Sequence, residues 1–475
     1  MTHRPTTSKR PDPDFATMDS TTSTDAVSTN IASARPVPGR SGARKVWTGR
    51  YDHGDPVYLD PSSQDPKPGD QKQLKHSRIT GLDVARGVAL IGMVAVHTLP
   101  SKDPDGTMSV AFWLTAGNAA ALFATLAGVG LAFISGGQNR ASGLKLRIAR
   151  KRLFIRSLLI FLLGVTINQV FGPVVLNILP FYGLLFLVAV FFIGMRLRWL
   201  VVSAGITITV MPIFVFVFNH NSDSEQLGNV TFQDLIQTPL ESISTLLFTG
   251  AYPVATWFFY ILVGMIIGRL QLKLMATQAY LPFFGFVTAL GTWLISYVGI
   301  WFAGGWEAMV AAEPQLSTDE VEQFIVFGAE FDYLPSNTWA WGLLMSPHAN
   351  TALSILHSTG VAVFVLGLCL LLCRFIPHQI SPLALVGSMT LTLYVGHQLY
   401  MTYNTTSESS MLHFITQLAF GVTLAYVWTR FTRQGPLEWL VAKISKGGDA
   451  LLESRASRRD LVEPSEQVSV SGPTD

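Results

Sequence analysis

The chain has 475 residues, 49% of them hydrophobic and only 13% charged, with a formal net charge of +2. A soluble globule of this size carries roughly a quarter charged residues, so the composition argues against a water-soluble enzyme and for a multi-pass membrane protein. The small net charge gives no reason to expect a nucleic-acid partner.

Residues 1–77 lack an apolar core and are rich in Ser, Thr, Pro, Asp and Arg. No cleavable signal peptide is visible in them, and they are expected to be a disordered cytoplasmic tail. An all-α transmembrane bundle is expected over 78–440, followed by a second, largely disordered cytoplasmic tail over 441–475. At about 20 apolar residues per crossing, ten spans are expected, near 80–99, 111–135, 153–171, 174–194, 199–218, 250–268, 279–303, 352–373, 383–402 and 411–429.

The first stretch, "GLDVARGVALIGMVAVHTLP" (81–100), carries Asp83, Arg86 and His97. Arg86 and His97 are eleven residues apart, three helical turns plus about 20°, so both lie on one face, about 16 Å apart along the axis. Asp83 precedes Arg86 by three and falls on the same side. A charge facing lipid is costly, so this polar stripe must face the bundle interior or a water-filled cavity. A plainer reading stands beside it. Asp83 and Arg86 could simply pair near the headgroups, and His97 could be an interfacial histidine bonded to a neighbouring helix.

The second stretch, "AFWLTAGNAAALFATLAGVGLAF", is crowded with Ala and Gly and predicts a tightly packed inner helix. The loop that follows, "RASGLKLRIARKRLFIR" (140–156), is strongly basic. It reads either as an ordinary membrane anchor or as a dock for the phosphates of an acyl-CoA, through Arg147, Arg150, Lys151 and Arg152.

Later loops alternate. Arg196, Arg198, Arg269, Lys273, Arg374, Arg430 and Arg433 fall on the side of the basic loop. The long loops near 219–249 and 304–350 contain no Lys or Arg. They carry Asp223, Glu225, Asp234, Glu241, Glu307, Glu313, Asp319, Glu320, Glu322, Glu330 and Asp332. By the positive-inside rule the basic side is cytoplasmic, and ten spans return both tails to it.

That topology puts His97, His348, His357 and His397 at one depth on the acidic side, with Tyr394 and Gln398 on the ninth stretch. Histidine can move a proton either way near neutrality, so the cluster points to proton chemistry. The spacing fits no metal-ligand pattern, and no metal is expected. Cys369 and Cys373, four apart in one apolar run, read as packing residues rather than a disulfide.

"GLDVARGVALIGMVAVH" (81–97) resembles the first helix of the heparan-alpha-glucosaminide N-acetyltransferase-like and YeiB-like membrane proteins. Arg86 and His97 also fit the Arg-x10-His signature of bacterial membrane O-acyltransferases. The series continues in order with "ILPFYGLLFLVA" (178–189), "TGAYPVATWFFYILVGMIIGRL" (249–270), "SPHANTALSILHSTGVA" (346–362), "PLALVGSMTLTLYVGHQLY" (382–400) and "GPLEWL" (435–440). The resemblance implies a ten- or eleven-helix bundle that passes an acyl group from cytosolic acyl-CoA to a sugar hydroxyl or amine outside. YeiB-like proteins often carry Asn at the position of His97, so this histidine tilts the chain toward the acyltransferase branch.

On that analogy His97 is the catalytic histidine and Arg86 supports the donor or the histidine. His357 or His397 orients His97 or relays its proton. Tyr394 donates to the oxyanion, and His348 and Asp83 complete the substrate side. The implied setting is a bacterial plasma membrane. The donor is acetyl-CoA, the acceptor an envelope glycan or glycolipid, and a homodimer is the favoured assembly. Two other classes remain open at this point: a proton-coupled carrier of a small solute or lipid, and a non-catalytic scaffold for envelope assembly.

Overall fold

The computed structural model describes residues 79–172, 175–220, 227–328, 335–404, 410–432, 434–447 and 449. The expected tail 1–77, most of the tail 441–475, and Asp223, Glu225, Glu330, Asp332 and Arg433 lie outside the described residues. Among those described, the elements are helices, with one isolated bridge between Lys102 and Met108.

All ten apolar stretches fall on helix. The first is α1, Thr80–Thr98. The second is a pair, α2 (Val110–Thr115) and α3 (Asn118–Ile134). Ser109 opens α2 by accepting from the Phe112 N–H at 3.2 Å, satisfying one of the donors a helix start leaves bare. Next come α4 (Gly143–Phe171), α5 (Leu179–Phe192) and α6 (Leu197–His220). Two short helices, α7 (Phe232–Gln237) and α8 (Pro239–Ser244), and a π-helical turn at Thr245–Thr249 lead through a 45° bend into α9 (Val254–Gly268).

After α10 (Met275–Trp301) the acidic loop folds into α11 (Gly305–Ala312), α12 (Thr318–Phe327) and a 3-10 turn at Trp339–Leu343. A Ser317–Glu320 capping box starts α12. Then comes α13 (Ala352–Phe375). The ninth stretch is broken into α14 (Ser381–Gly387) and α15 (Thr390–Tyr403). The chain ends its described part with α16 (Ser410–Trp428) and α17 (Pro436–Lys446), which continues past residue 440.

Among the described residues, seven helices are long and apolar enough to cross a membrane, or eight if the bent pair at Pro239–Gly268 counts as one span. The difference from ten has a physical origin. α5 has only 14 residues, short of the roughly 20 a full crossing needs, and the ninth stretch stops and restarts around Ser388–Met389.

Small residues set the inner packing. A Cβ on Gly128 would lie 2.2 Å from the Ile261 carbonyl oxygen, and one on Gly264 would lie 2.0 Å from that of Thr125. α3 and α9 therefore touch backbone to backbone, as the Ala- and Gly-rich stretch predicts. Gly387 lets the break between α14 and α15 seat on α1, because a Cβ there would meet the Asp83 carbonyl oxygen at 1.7 Å. The lipid-style helices lie outside this seam. α6, α10 and α16 expose rows of large apolar side chains, including Ile213, Phe283 and Ile415.

The basic loops gather at one end of the bundle and are tied together there. Arg269 donates to the carbonyls of Gly137 at 2.5 Å and Ile193 at 2.7 Å. Arg140 donates to Gly194 at 3.1 Å, Arg374 to Lys273 at 2.8 Å, and Lys151 to Gly447 at 2.5 Å, each at a carbonyl. Cations near helix C-termini satisfy carbonyls that the helices leave bare.

Candidate active site

α1 is the most enclosed of the long helices, and its polar stripe faces inward. Arg86, Met93 and His97 all line one cavity of about 1320 Å³. The Arg86 guanidinium donates to Asp83 Oδ1 at 2.7 Å. Asp83 is 3% exposed and stands behind Arg86, off the cavity wall. A buried carboxylate of this kind holds its arginine in place.

His97 meets His397, brought in by α15. Their Nδ1 and Nε2 atoms are 2.8 Å apart, and the rings lie 14° from parallel. On the far side, His397 Nδ1 is 2.6 Å from Gln417 Oε1 on α16, while Gln417 Nε2 faces the Met401 sulfur at 3.8 Å. An amide oxygen only accepts, which fixes the tautomers in turn. His397 carries its proton on Nδ1 and accepts on Nε2. His97 therefore donates from Nδ1 and keeps the lone pair on its own Nε2. The arrangement has the form of a base oriented by a second group that is oriented by a third.

The other two histidines have separate places. His348 sits in the loop before α13 and lines the same cavity. Its Nδ1 contacts the Ala251 carbonyl at 3.1 Å, and its ring meets Tyr252 edge-on at 5.1 Å. Burial holds its imidazole below the ordinary histidine range, against a partial lift from the Ala251 carbonyl. His348 and Asn350 both have left-handed backbone, φ 61° and 54°, a conformation that costs energy in residues other than glycine. Asn350 holds the turn by donating to the His348 carbonyl at 2.7 Å and accepting from the Trp257 indole at 2.8 Å. His357 is elsewhere. Its Nδ1 lies 3.1 Å from the Ala289 carbonyl, and it lines a second cavity of about 230 Å³ with Trp257, Tyr260 and Trp293.

The basic end of the large cavity is lined by Arg152, Arg156, Glu438 and Lys446. Arg152 and Lys151 pair with Asp449 at 2.7 and 3.4 Å. Arg147 and Arg150 are exposed and stand off the wall, so of the four basic candidates Arg152 alone lines it. Arg156, one turn deeper on α4, lies over the Phe186 ring at 5.7 Å, and its Nε is buried without a hydrogen-bond partner among the described residues. Glu438 accepts from the N–H groups of Leu391 and Thr392, at 2.6 and 3.2 Å, and from the Thr392 hydroxyl at 2.6 Å. A carboxylate from α17 thus caps the broken start of α15, the helix that carries His397.

At the acidic end the wall is formed by Lys102, Phe112, Glu320, Gln323, Phe324 and Phe327. The Lys102 ammonium donates to Gln323 Oε1 at 3.3 Å and stands 4.6 Å from the Phe327 ring centre. The Ser317 backbone N–H and hydroxyl hold the Glu320 carboxyl below its usual range.

Tyr394 lines the cavity, but its hydroxyl is committed. It donates to Asn177 Oδ1 at 3.2 Å and accepts from the Ile178 N–H at 3.2 Å and Gln398 Nε2 at 2.9 Å. Asn177 in turn donates to the Gly164 carbonyl at 3.1 Å and to Asn168 Oδ1 at 2.7 Å. The tyrosine anchors α15 to the start of α5. Among the described residues no three His, Cys, Asp or Glu side chains converge as a metal site, and both cysteines are free thiols.

Residues 78–299 match the family model "Heparan-alpha-glucosaminide N-acetyltransferase, catalytic", and residues 324–447 match "Protein of unknown function (DUF418)". The chain belongs with the heparan-alpha-glucosaminide N-acetyltransferase-like and YeiB-like membrane proteins. It is an acetyltransferase-like, multi-pass membrane protein. None of the curated proteins matches it. The first match ends within α10, so it contains His97, Arg86 and Arg156, while the second contains His397, Gln417 and Glu438. The cavity is built from both matched segments.

Three residues of this acetyltransferase-like chain, Arg156 and Glu438 on the cavity wall and Gln417 behind His397, are given no role by the sequence reading. Gln417 is one polar residue in an apolar stretch, and only the fold brings it to His397. Arg156 ends the basic run "RIARKRLFIR", and Glu438 lies within "GPLEWL". An arginine one turn inside an apolar run, and an acid just after a Pro at a helix start, are the available hints.

Proposed function

We propose that the chain is a plasma-membrane acyltransferase that takes an acetyl group from acetyl-CoA at its basic, cytoplasmic end. The acceptor is a hydroxyl or amine of an envelope glycan or glycolipid at its acidic end. One observation carries this reading. A single cavity draws its wall from both ends of the bundle, with a hydrogen-bonded His97–His397 pair between them.

The roles follow from the chemistry of each group. Arg152, Arg156 and Lys446 offer cations to the donor's phosphates at the basic mouth. Arg86, three turns below His97 and fixed by Asp83, lies on the path of the pantetheine arm. His97 Nε2 removes the proton from the acceptor O–H or N–H as it attacks the thioester carbonyl. The C–S bond breaks, the C–O or C–N bond forms, and His97 returns the proton to the departing sulfur. His397 accepts from His97 Nδ1–H throughout and steadies the imidazolium, while Gln417 keeps His397 in the accepting tautomer. Lys102, Gln323, Glu320 and the surrounding Phe rings meet the acceptor.

The test uses the purified full-length protein with acetyl-CoA and, as a model acceptor, glucosamine, which carries both an amine and hydroxyls. Wild-type protein is expected to release free thiol only when acceptor is present. His97→Ala is expected to lower that rate by about 10²- to 10⁴-fold, the usual contribution of a general base. Wild-type rates in His97→Ala contradict the role of His97. Solute uptake with no acetylated product contradicts the reaction itself and favours a carrier.

A further inference from the structure

Tyr182 stands on the first turn of α5, where its N–H bonds the Ile178 carbonyl at 3.0 Å. The residue is 9% exposed, its side chain lines the large cavity, and its hydroxyl is buried without a hydrogen-bond partner among the described residues. Buried hydroxyls without a partner are rare and costly, so this one requires a reason.

The contrast with Tyr394 is direct. That phenol lines the same cavity and has three partners supplied by the protein. Tyr182 has none, yet its ring is well fixed, set edge-on against Phe186 at 5.8 Å and 83°. Phe186 in turn carries the Arg156 guanidinium. A fixed ring on a cavity wall, its O–H buried and unpaired, is pre-organised to donate to a group that enters deeply enough to reach it.

We propose that Tyr182 donates its hydroxyl hydrogen bond to the carbonyl oxygen of the donor thioester. In that position it stabilises the negative charge that gathers on the oxygen when the acceptor adds. This rests on the acyl-transfer reading above. The acceptor adds to the carbonyl carbon as His97 takes its proton, and the carbonyl π electrons move to oxygen, where Tyr182 holds them. The oxyanion then collapses, the C–S bond breaks, and the proton on His97 passes to sulfur. Tyr182 keeps its proton throughout and is a catalytic residue by contact with the reacting oxygen. The oxyanion role that the sequence suggests for Tyr394 belongs instead to the phenol that the fold leaves unengaged.

Tyr182→Phe deletes only this hydroxyl. It is expected to lower kcat by about 10²-fold, the usual loss for one oxyanion donor, with the KM for acetyl-CoA within about twofold and the melting temperature unchanged or raised. Tyr394→Phe, in the same series, is expected to lower the melting temperature because it breaks bonds to Asn177 and Gln398. A wild-type kcat in Tyr182→Phe overturns the proposal, as does a loss confined to KM. Site-specific fluorotyrosine at 182, a stronger donor of nearly the same shape, is expected to raise kcat, and an unchanged kcat there also overturns it. The two readings fail separately. If wild-type protein makes no acetylated product, acyl transfer is wrong. If wild-type works, His97→Ala is dead and Tyr182→Phe is fully active, only the role of Tyr182 is wrong.

Discussion

The two ends of the cavity are built on opposite terms. At the basic end the groups are charged and incompletely neutralised. Asp83 answers Arg86 and Asp449 answers Arg152, while Arg156 has a buried Nε without a hydrogen-bond partner among the described residues, and Glu438, which acts on it electrostatically, has its oxygens engaged in capping α15. Around His97 the groups are neutral and hydrogen-bonded in series, from Gln417 to His397 to His97. A wall meant to hold an anion gains from cations left in want of one. A wall meant to move a proton gains from fixed tautomers and correct aim. On the proposed reading, the difference separates binding from chemistry along one helix, with Arg86 and His97 at its two levels.

Three substitutions probe that separation. The largest effect is expected at the binding end. Arg156→Met should raise the KM for acetyl-CoA by about tenfold or more, since a hydrogen bond to a charged group contributes about 1.5–3 kcal/mol. It should leave acetyl-pantetheine, which lacks the nucleotide phosphates, unaffected. Equal losses with both donors would break the division. Next, Gln417→Leu frees the His397 ring to take the other tautomer. We expect kcat to drop by about tenfold with KM steady, in line with one neutral hydrogen bond at about 0.5–1.5 kcal/mol. A KM effect instead would place Gln417 on the binding side. The smallest effect belongs to His357→Ala, which should change the rate by less than about twofold because His357 faces Ala289 and the second cavity. A large loss there would mean that proton movement extends beyond the His97–His397 pair.

The architecture was legible in the sequence to the extent that hydropathy and charge carry it. Apolar length located every helix of the ten stretches, and Ala and Gly content marked the α3–α9 contact. Break points were not legible. α14 and α15 read as one span because the interruption at Ser388–Met389 has no Pro or charge of its own, and its cause is tertiary. Gly387 packs on α1, and Glu438 caps the restart from 47 residues away in sequence from Leu391.

For the site, helical spacing correctly put Arg86 and His97 on one inward face. Depth alone grouped four histidines, but rotation about each helix decides which meet: among the described residues His397 hydrogen-bonds His97, while His348 stands on the same cavity wall, near enough to act on it electrostatically. The same limit separates the two tyrosines. Whether Tyr394 or Tyr182 has a free hydroxyl depends on Asn177 and Gln398, and neither residue type announces that in a sequence.

The central claim is that donor and acceptor enter from opposite ends and meet at His97. It is tested most directly in vesicles that carry the full chain with the basic end outward, radiolabelled acetyl-CoA outside and glucosamine sealed inside. The wild-type chain is predicted to build up labelled acetylglucosamine in the lumen, while His97→Ala vesicles accumulate none. Labelled product only outside the vesicles, or equal luminal product from both proteins, would contradict it.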